Sequence, residues 1–343
     1  MNLKRAGLFF AAVCCAGLVA AAPEAAYRVV QRIPLGGAGG WDDLAFDSAS
    51  HRIFFSRSDR VLVVDAEKGK LLGEIPGTAG VHGIALAPEL GRGYTSNGRA
   101  NTVSVFDLAT LKVTAEIKVT GQNPDAILYD SFTQRIFTFN GRTANATVID
   151  AKDGSVVATI PLDGKPEFAA SDGKGRIFVN IEDKQKLTVI DPRTAKVVAN
   201  WSLAPGEDPT GLAMDVGHQR LFAVCGNRKL IVLDAVSGRR IADLPIGQGA
   251  DAVAFDPGQE LIFSSNGEGT LTIVHEDDPD HFRVVATVPT QKGARTLALD
   301  PAGHRVFLPA AEYGPAPAPT PEQPRPRPAM LPDSFTLLVV GQR

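Results

Sequence analysis

The sequence is poor in cysteine and in the motifs that mark common enzyme sites. Two of its three cysteines are the adjacent Cys14 and Cys15, so Cys225 is left without a partner for an intramolecular disulfide. No CxxCH run is present to attach haem covalently. The sequence also lacks G-x-S-x-G, H-E-x-x-H, a Walker loop, and a G-x-G-x-x-G between a strand and a helix.

The chain has no excess of positive charge. Its formal net charge is −3, and loss of Lys4 and Arg5 with a signal peptide makes it −5. Broad affinity for a phosphate backbone needs a basic surface, so we expect no nonspecific binding of nucleic acid.

The N-terminus has the pattern of a secretory signal peptide. Lys4 and Arg5 form a basic start, residues 8–19 form an apolar stretch too short to span a bilayer, and Ala-Ala-Ala at 20–22 offers a cleavage site. The pattern predicts a signal peptide over residues 1–22, no transmembrane anchor, and a periplasmic or secreted mature protein.

A four-part pattern recurs about every 42 residues from about Gly40 onwards. Each unit has an apolar opening run, an aromatic strand, a Val/Ile-rich strand that ends in Asp in five of seven units, and a closing run such as VVATIPL. The opening runs are WDDLAFD, VHGIALA, PDAILYD, PEFAASD, PTGLAMD, ADAVAFD and ARTLALD. Turn residues separate the runs, and no amphipathic helix of ten residues interrupts them.

Four-stranded units at this period predict an all-β, seven-bladed β-propeller with four antiparallel strands per blade. Two β-sandwiches are the alternative, but sandwiches do not require self-similar units. The last unit has only three strands at the C-terminus, and residues 27–35 (YRVVQRIPL) match the missing one. We therefore expect the N-terminal strand to complete the last blade and residues 27–343 to form one domain.

The repeat resembles that of the YncE/YVTN-type propellers, whose units run P-x-G-I-A-F, YVTN, VSVID and VVATIPVG. The resemblance covers residues 27–343, although GYTSN and IFTFN stand where YVTN is expected. It implies a secreted or periplasmic seven-bladed propeller. Related propellers include binding proteins, lactonases and haem domains, so the resemblance leaves the function open.

The second residue of each opening run is the strongest functional pattern. The first strand of each propeller blade lines the central channel, so these residues should meet at one channel mouth. Six of them are ionisable and form the predicted rim: Asp42, His82, Asp125, Glu167, Asp251 and Arg295.

Carboxylates that converge in this way should raise one another's pKa, bind a cation, or pair with His82 and Arg295. Oxygen ligands suit Ca²⁺ or Mg²⁺, and an added imidazole suits Zn²⁺ or Mn²⁺. The candidate metal ligands are Asp42, His82, Asp125 and Glu167. A bound organic molecule, or a solvated rim with no ligand, are the alternatives.

Two further features should lie on the same face. The turns between the second and third strands carry a ring of cations, the predicted crown, which would steer an anionic partner or simply be solvated: Arg57, Arg60, Arg99, Arg142, Lys184, Lys186 and Arg228. The last blade contains a Pro-rich insertion at residues 314–332, which should not join a sheet. It could cover the channel, present PRPRP (324–328) to a partner, or lack structure.

These patterns favour a monomeric binding protein that takes a small molecule, a metal ion or an envelope-protein segment at the channel mouth. One alternative is a metal-dependent hydrolase of the lactonase type, in which a divalent cation polarises a carbonyl group and His82 or a carboxylate moves the proton. Another is a scaffold that docks a protein through the Pro-rich loop.

Overall fold

Seven four-stranded antiparallel sheets form a closed ring, so the predicted seven-bladed propeller is confirmed. The computed structural model describes residues 26–320, 326 and 328–342. The innermost strand of every blade packs against the innermost strands of both neighbouring blades, which closes the ring around a central channel. The predicted signal peptide, residues 1–22, lies outside the described residues. No helix in the described part of the chain is long and apolar enough to cross a membrane.

The strands follow the repeat in order from the channel outwards. The innermost strands of blades 1 to 7 are Leu44–Asp47, Val81–Ala87, Pro124–Asp130, Pro166–Ser171, Pro209–Asp215, Ala250–Asp256 and Ala298–Asp300. The second strands are Arg52–Arg57, Arg92–Asn97, Arg135–Asn140, Ile177–Ile181, Arg220–Cys225, Leu261–Asn266 and Arg305–Ala310. The third strands are Arg60–Asp65, Thr102–Asp107, Asn145–Asp150, Lys186–Asp191, Lys229–Asp234, Thr270–Asp278 and Thr336–Gly341. The outermost strands are Leu71–Pro76, Val113–Lys118, Val156–Pro161, Lys196–Ser202, Arg240–Pro245, His281–Pro289 and Arg28–Pro34. Two short 3₁₀ turns, Pro88–Leu90 and Glu182–Lys184, are the helical elements among the described residues.

The N-terminal strand closes the ring, as predicted. Arg28–Pro34 pairs antiparallel with Thr336–Gly341 and becomes the outermost strand of blade 7. Ile33 of this strand is buried, and its apolar side chain packs with Phe335 and Leu337. The first and last parts of the chain therefore hold each other in place, and Thr336–Gly341 is not left as an unpaired outer edge.

Two features of the repeat have a local structural cause. The Asp that ends the third strand accepts hydrogen bonds from backbone N–H groups of the turn that follows; Asp65 accepts from Glu67 and Lys68, both at 2.9 Å. The Arg that begins several second strands reaches the next blade, as Arg135 does when Nη1 donates to the carbonyl of Pro192 at 2.8 Å. Equivalent bonds start from Arg52, Arg92, Arg176 and Arg220.

The core lies between blades rather than within them. Phe54 in blade 1 is fully buried and its ring centroid lies 5.9 Å from that of Phe106 in blade 2. Other second strands bury a Phe in the same way, at Phe137, Phe178, Phe222, Phe263 and Phe307. Each such side chain contributes about 2–3 kcal/mol of hydrophobic stabilisation. Rigid blade interfaces of this kind hold the channel residues in fixed positions.

Among the described residues, the Pro-rich insertion joins none of the seven sheets, as expected, although its two ends contact each other. Tyr313 and Met330 form an antiparallel bridge, and the Gly314 amide donates to the carbonyl of Ala329 at 2.9 Å. The bridge is possible because neither residue is a proline, and the nearest prolines each lie two positions away, at Pro315, Pro328 and Pro332. Most of the PRPRP run lies outside the described residues.

Candidate functional site

The rim residues are positioned by hydrogen bonds between blades. The Asn180 amide of blade 4 donates to the Thr210 carbonyl of blade 5 at 3.0 Å, and the Thr296 hydroxyl of blade 7 donates to the Asp42 carbonyl of blade 1 at 2.7 Å. The hydroxyls of Ser96 and Ser265 make the same kind of contact with the carbonyls of Asp125 and Arg295. Four of the seven second residues, Asp42, Asp125, Thr210 and Arg295, are therefore held through their own backbone carbonyls.

Five of the six predicted rim residues form one continuous network. The Arg295 guanidinium bridges two carboxylates, since Nη2 lies 3.1 Å from Asp42 Oδ1 and Nη1 contacts Asp251. The imidazole of His82 donates from Nδ1 to Asp42 Oδ2 at 2.6 Å. The same nitrogen lies 3.6 Å from Asp125 Oδ1. Negative and positive groups thus alternate from blade 6 round to blade 3.

The sixth rim residue, Glu167, pairs with a cation that the repeat pattern did not single out. Lys165 Nζ lies 2.6 Å from Glu167 Oε1 and also contacts Glu182. Lys165 stands two residues before Glu167, and side chains two apart share one face of a strand. That spacing is the signal that could have identified Lys165 from the sequence. Glu182 comes from the turn after the second strand, where no repeat position pointed to it.

The rim carboxyl groups differ in how well their charge is compensated. Burial raises the pKa of Asp42, but the hydrogen bond from His82 and the charge of Arg295 outweigh it, so the pKa of Asp42 is lowered. Burial raises the pKa of Asp125, with Asp42 adding to the effect. Burial also raises the pKa of Glu167 to about 7 and that of Asp251 to about 6. The hydrogen bond to Asp42 raises the pKa of His82.

A further carboxyl group, Asp43, lies beside this network. Burial raises the pKa of Asp43 to about 8, and the charges of Asp42, Asp251 and Asp125 add to the effect. At neutral pH Asp43 is therefore mostly protonated and can donate a hydrogen bond. The sequence showed Asp43 only as an exception among apolar neighbours of the rim, because its pKa depends partly on charges from two other blades, at Asp125 and Asp251.

One large cavity brings these groups together. Its volume is about 1610 Å³, and all six predicted rim residues line it. Apolar side chains complete its wall: Trp41, Phe168, Tyr313, Met330 and Leu331. The last three belong to the Pro-rich insertion and its base, so the described part of the insertion forms one side of the mouth.

The predicted crown is not a uniform ring of solvated cations. Arg57 is fully buried, its guanidinium lies 3.7 Å from the ring centre of Phe335, and Nη2 donates to the carbonyls of Gly37 and Ala38, both at 3.0 Å. Burial lowers the pKa of Arg57 to about 10. The expectation that Arg57 is part of an exposed crown is therefore wrong, because the N-terminal loop folds over it.

Three of the remaining predicted crown residues lie near a carboxylate, namely Arg60, Lys184 and Lys186. The other three are found at two kinds of place. Arg99 and Arg142 are exposed and line a second cavity of about 620 Å³ beside the mouth. Arg228 is exposed and donates to Gln248 at 3.0 Å, away from the residues that line either cavity.

Three of the four candidate metal ligands lie close together. Asp42, His82 and Asp125 each offer one ligand atom, and these atoms lie within 4.8 Å of one another. The fourth candidate, Glu167, is engaged by Lys165. A metal ion at the first three would have to displace the proton on His82 Nδ1 and share Asp42 with Arg295.

Comparisons with known proteins agree with the fold. No family model matches the chain. The chain is 23% identical over 188 residues to the uncharacterized protein YncE of Salmonella typhi and to that of Salmonella typhimurium, a match that covers 52% of this chain and 52% of each relative. The match thus spans about half the length of these relatives.

A solved structure of Kuenenia stuttgartiensis hydrazine synthase superposes with a TM-score of 0.69. It is 20% identical in sequence, and the superposition covers 78% of this chain and 92% of that chain. At this identity the likeness concerns the fold alone. Together with the YncE match, it confirms the resemblance seen in the repeat: the chain is a seven-bladed β-propeller similar to the YncE proteins.

Proposed function

We propose that the protein is a binding protein whose channel mouth takes a small organic molecule with a cationic group. The observation that carries this proposal is that Asp125, Glu167 and Asp251 line one cavity and all have raised pKa values. A raised pKa means that the ionised carboxylate is poorly compensated where it lies. A cation placed among the three groups supplies that compensation, so its binding is favourable.

The wall of the mouth suits an apolar portion of the same molecule. Tyr313 and Leu331 are 44% and 40% exposed at the mouth, and the half-buried Trp41 lies beside Tyr313 with 6.3 Å between ring centres. Aromatic faces also attract cations directly. The cavity is larger than the few hundred cubic ångströms that a small ligand needs. An amine that carries an aromatic or aliphatic group therefore fits both parts of the site.

The test is calorimetric titration with tryptamine and with tryptophol, its neutral alcohol counterpart. We expect tryptamine to bind at least about tenfold more tightly, which is about 1.4 kcal/mol. The double variant Asp125→Asn/Glu167→Gln should remove this preference. Glu116→Gln, an exposed carboxyl on the outermost strand of blade 2, is the matched control and should keep it. Equal binding of the two probes, or no binding of tryptamine, would count against the proposal.

A metal-dependent hydrolase is the second candidate, favoured by the closeness of Asp42, His82 and Asp125. Its test is the metal content of the purified protein by elemental mass spectrometry, beside the Asp42→Ala/Asp125→Ala variant. About one equivalent of a divalent ion, lost in the variant, would support this candidate. The ion would polarise a carbonyl oxygen of the substrate. The pairing of Asp42 with Arg295 is the reason why we place binding of an organic cation first.

We also propose that the mature protein is exported and monomeric. The signal-peptide pattern of residues 1–22 supports export, and the closure of the ring within one chain supports the monomer. Fractionation of expressing bacteria should recover a shortened chain from the periplasm or medium, and light scattering should give the mass of one chain. The described part of the Pro-rich insertion lines the cavity, so we assign this segment to the binding site rather than to a separate docking function.

A further inference from the structure

We propose that Arg99 and Arg142 form a subsite for an oxyanion, and that the ligand of the mouth is a zwitterion whose anionic end occupies it. This inference rests on the proposed function, because it adds the anionic end to a ligand whose cationic group lies among the rim carboxylates. The anionic end is a carboxylate or a phosphate, since both are matched by guanidinium groups.

Arg99 and Arg142 differ from the other crown cations, which have partners or are buried. Arg60 pairs with Asp59 at 2.8 Å, and Lys186 pairs with Asp163 at 2.9 Å. Arg57 is buried by the N-terminal loop, Lys184 lies 3.8 Å from Asp183, and Arg228 donates to Gln248.

Arg99 and Arg142, by contrast, make no ion pair within the part of the chain that the structure describes. They occupy the same turn position in consecutive blades, blades 2 and 3. Two adjacent arginines without a carboxylate partner repel each other, and an anion between them removes the repulsion. Both side chains are exposed, and an anion that lies between the two turns is attracted to both of them.

The two arginines line a cavity that can accept an anion. Both turns border a cavity of about 620 Å³, and Asn101, Gln122 and Asn123 line it together with the arginines. Amide groups supply neutral hydrogen-bond donors beside the two guanidinium groups. The cleft thus offers several donors to an anion that enters it.

The cavity beside Arg99 and Arg142 is connected to the channel mouth. Trp41, Asp42, His82 and Arg295 line both cavities, so the two spaces adjoin at the rim network. The rim carboxyl groups of Asp125 and Glu167 line the first cavity, and Arg99 and Arg142, which have no ion pair among the described residues, line the second. A molecule with opposite charges at its two ends satisfies both sides at once, which a simple amine or a simple anion cannot do.

The test compares amines with and without an anionic end on chains of the same length. We would titrate hexylamine against 6-aminohexanoate, and octylamine against 8-aminooctanoate, by calorimetry. At one of the two lengths the amino acid should bind the wild-type protein at least about tenfold more tightly than the amine, as expected for charge-assisted contacts to two arginines. Arg99→Gln/Arg142→Gln should abolish that advantage, and Arg228→Gln should leave it intact.

The same variants separate this inference from the proposed function. Arg99→Gln/Arg142→Gln should still bind tryptamine, at least as tightly as the wild type, because the rim carboxyl groups are unchanged and two nearby positive charges are removed. If tryptamine binds but neither amino acid has an advantage, the oxyanion subsite is wrong and the proposed function stands. An advantage that survives in the double variant overturns the assignment to these arginines. Inorganic phosphate that binds through them while neither amino acid gains affinity would mean a site for a free oxyanion, and the zwitterion would be rejected.

Discussion

Nδ1 of His82 lies 2.6 Å from Oδ2 of Asp42, and this contact joins blade 2 to blade 1 at the rim of the channel. The pairing raises the pKa of His82 and helps to lower that of Asp42, so both groups are charged around pH 6. A His whose pKa is raised by folding contributes stability that is complete below its unfolded pKa, about 6.5, and is lost as the pH rises through the folded pKa. The Asp42 contribution is present above about pH 3.9 and is lost as the pH falls through its lower folded pKa.

His82→Asn tests this pair, because the Asn side chain keeps a neutral donor near the position of Nδ1 but does not titrate. We expect the variant to lose about 1 kcal/mol of unfolding free energy at pH 5.5, a value reduced for the partial exposure of both side chains, and much less at pH 9. Urea denaturation at the two pH values measures the difference. A loss that is the same at both pH values would contradict the ion-pair explanation.

The sequence predicts most of the fold but only part of the candidate site. Most blades are built from strands that are consecutive in the sequence. The repeat period therefore predicts the blades, and the unmatched run at residues 27–35 predicts how the ring closes. The convergence of Asp42, His82 and Arg295 also follows, since equal positions in the repeat reach the same height in the channel. The burial of Arg57 does not follow, because it depends on Phe335 and on the loop at Gly37, which are distant in sequence and outside the repeat.

Asp43→Asn should become more stable relative to the wild type as the pH rises from 4 to 8. Burial raises the pKa of Asp43 to about 8, so over this range the folded wild type holds a proton that the unfolded chain has released. The wild type therefore loses unfolding free energy as the pH increases, and the variant has no such loss at this position. We expect a relative gain of several kcal/mol, up to roughly 5 kcal/mol, by urea denaturation.

Glu116→Gln, with its exposed carboxyl on an outer strand, is the control for this measurement and should show no comparable change. If Asp43→Asn follows the wild type over the whole range, the carboxyl of Asp43 is ionised in the folded protein. It would then not act as a hydrogen-bond donor in the mouth.

Lys165→Met should raise the pKa of Glu167 above its value of about 7. The hydrogen bond and charge of Lys165 lower that pKa and partly offset the effect of burial, so their removal leaves burial and the charge of Asp125 uncompensated. We expect an upward shift of about one unit, followed by NMR titration of the ¹³C-labelled glutamate carboxyl groups and assigned with Glu167→Gln. Lys186→Met, which removes the partner of Asp163, is the control. An unchanged titration of Glu167 would show that Lys165 does not pair with it in solution.

Removal of residues 26–36 should open the ring at blade 7. The deletion leaves Thr336–Gly341 as an exposed edge and uncovers the apolar surface that Ile33 buries beside Phe335 and Leu337. We expect the thermal midpoint to fall by several degrees, roughly 2–4 °C for each kcal/mol lost, and the truncated protein to aggregate through the free edge. A synthetic peptide of residues 26–36 should bind in trans and restore part of the midpoint, since an extended peptide can add to an open sheet edge. A peptide of the same composition in scrambled order should not, because Ile33 would no longer face the core. An unchanged midpoint after the deletion would mean that the ring closes without this strand.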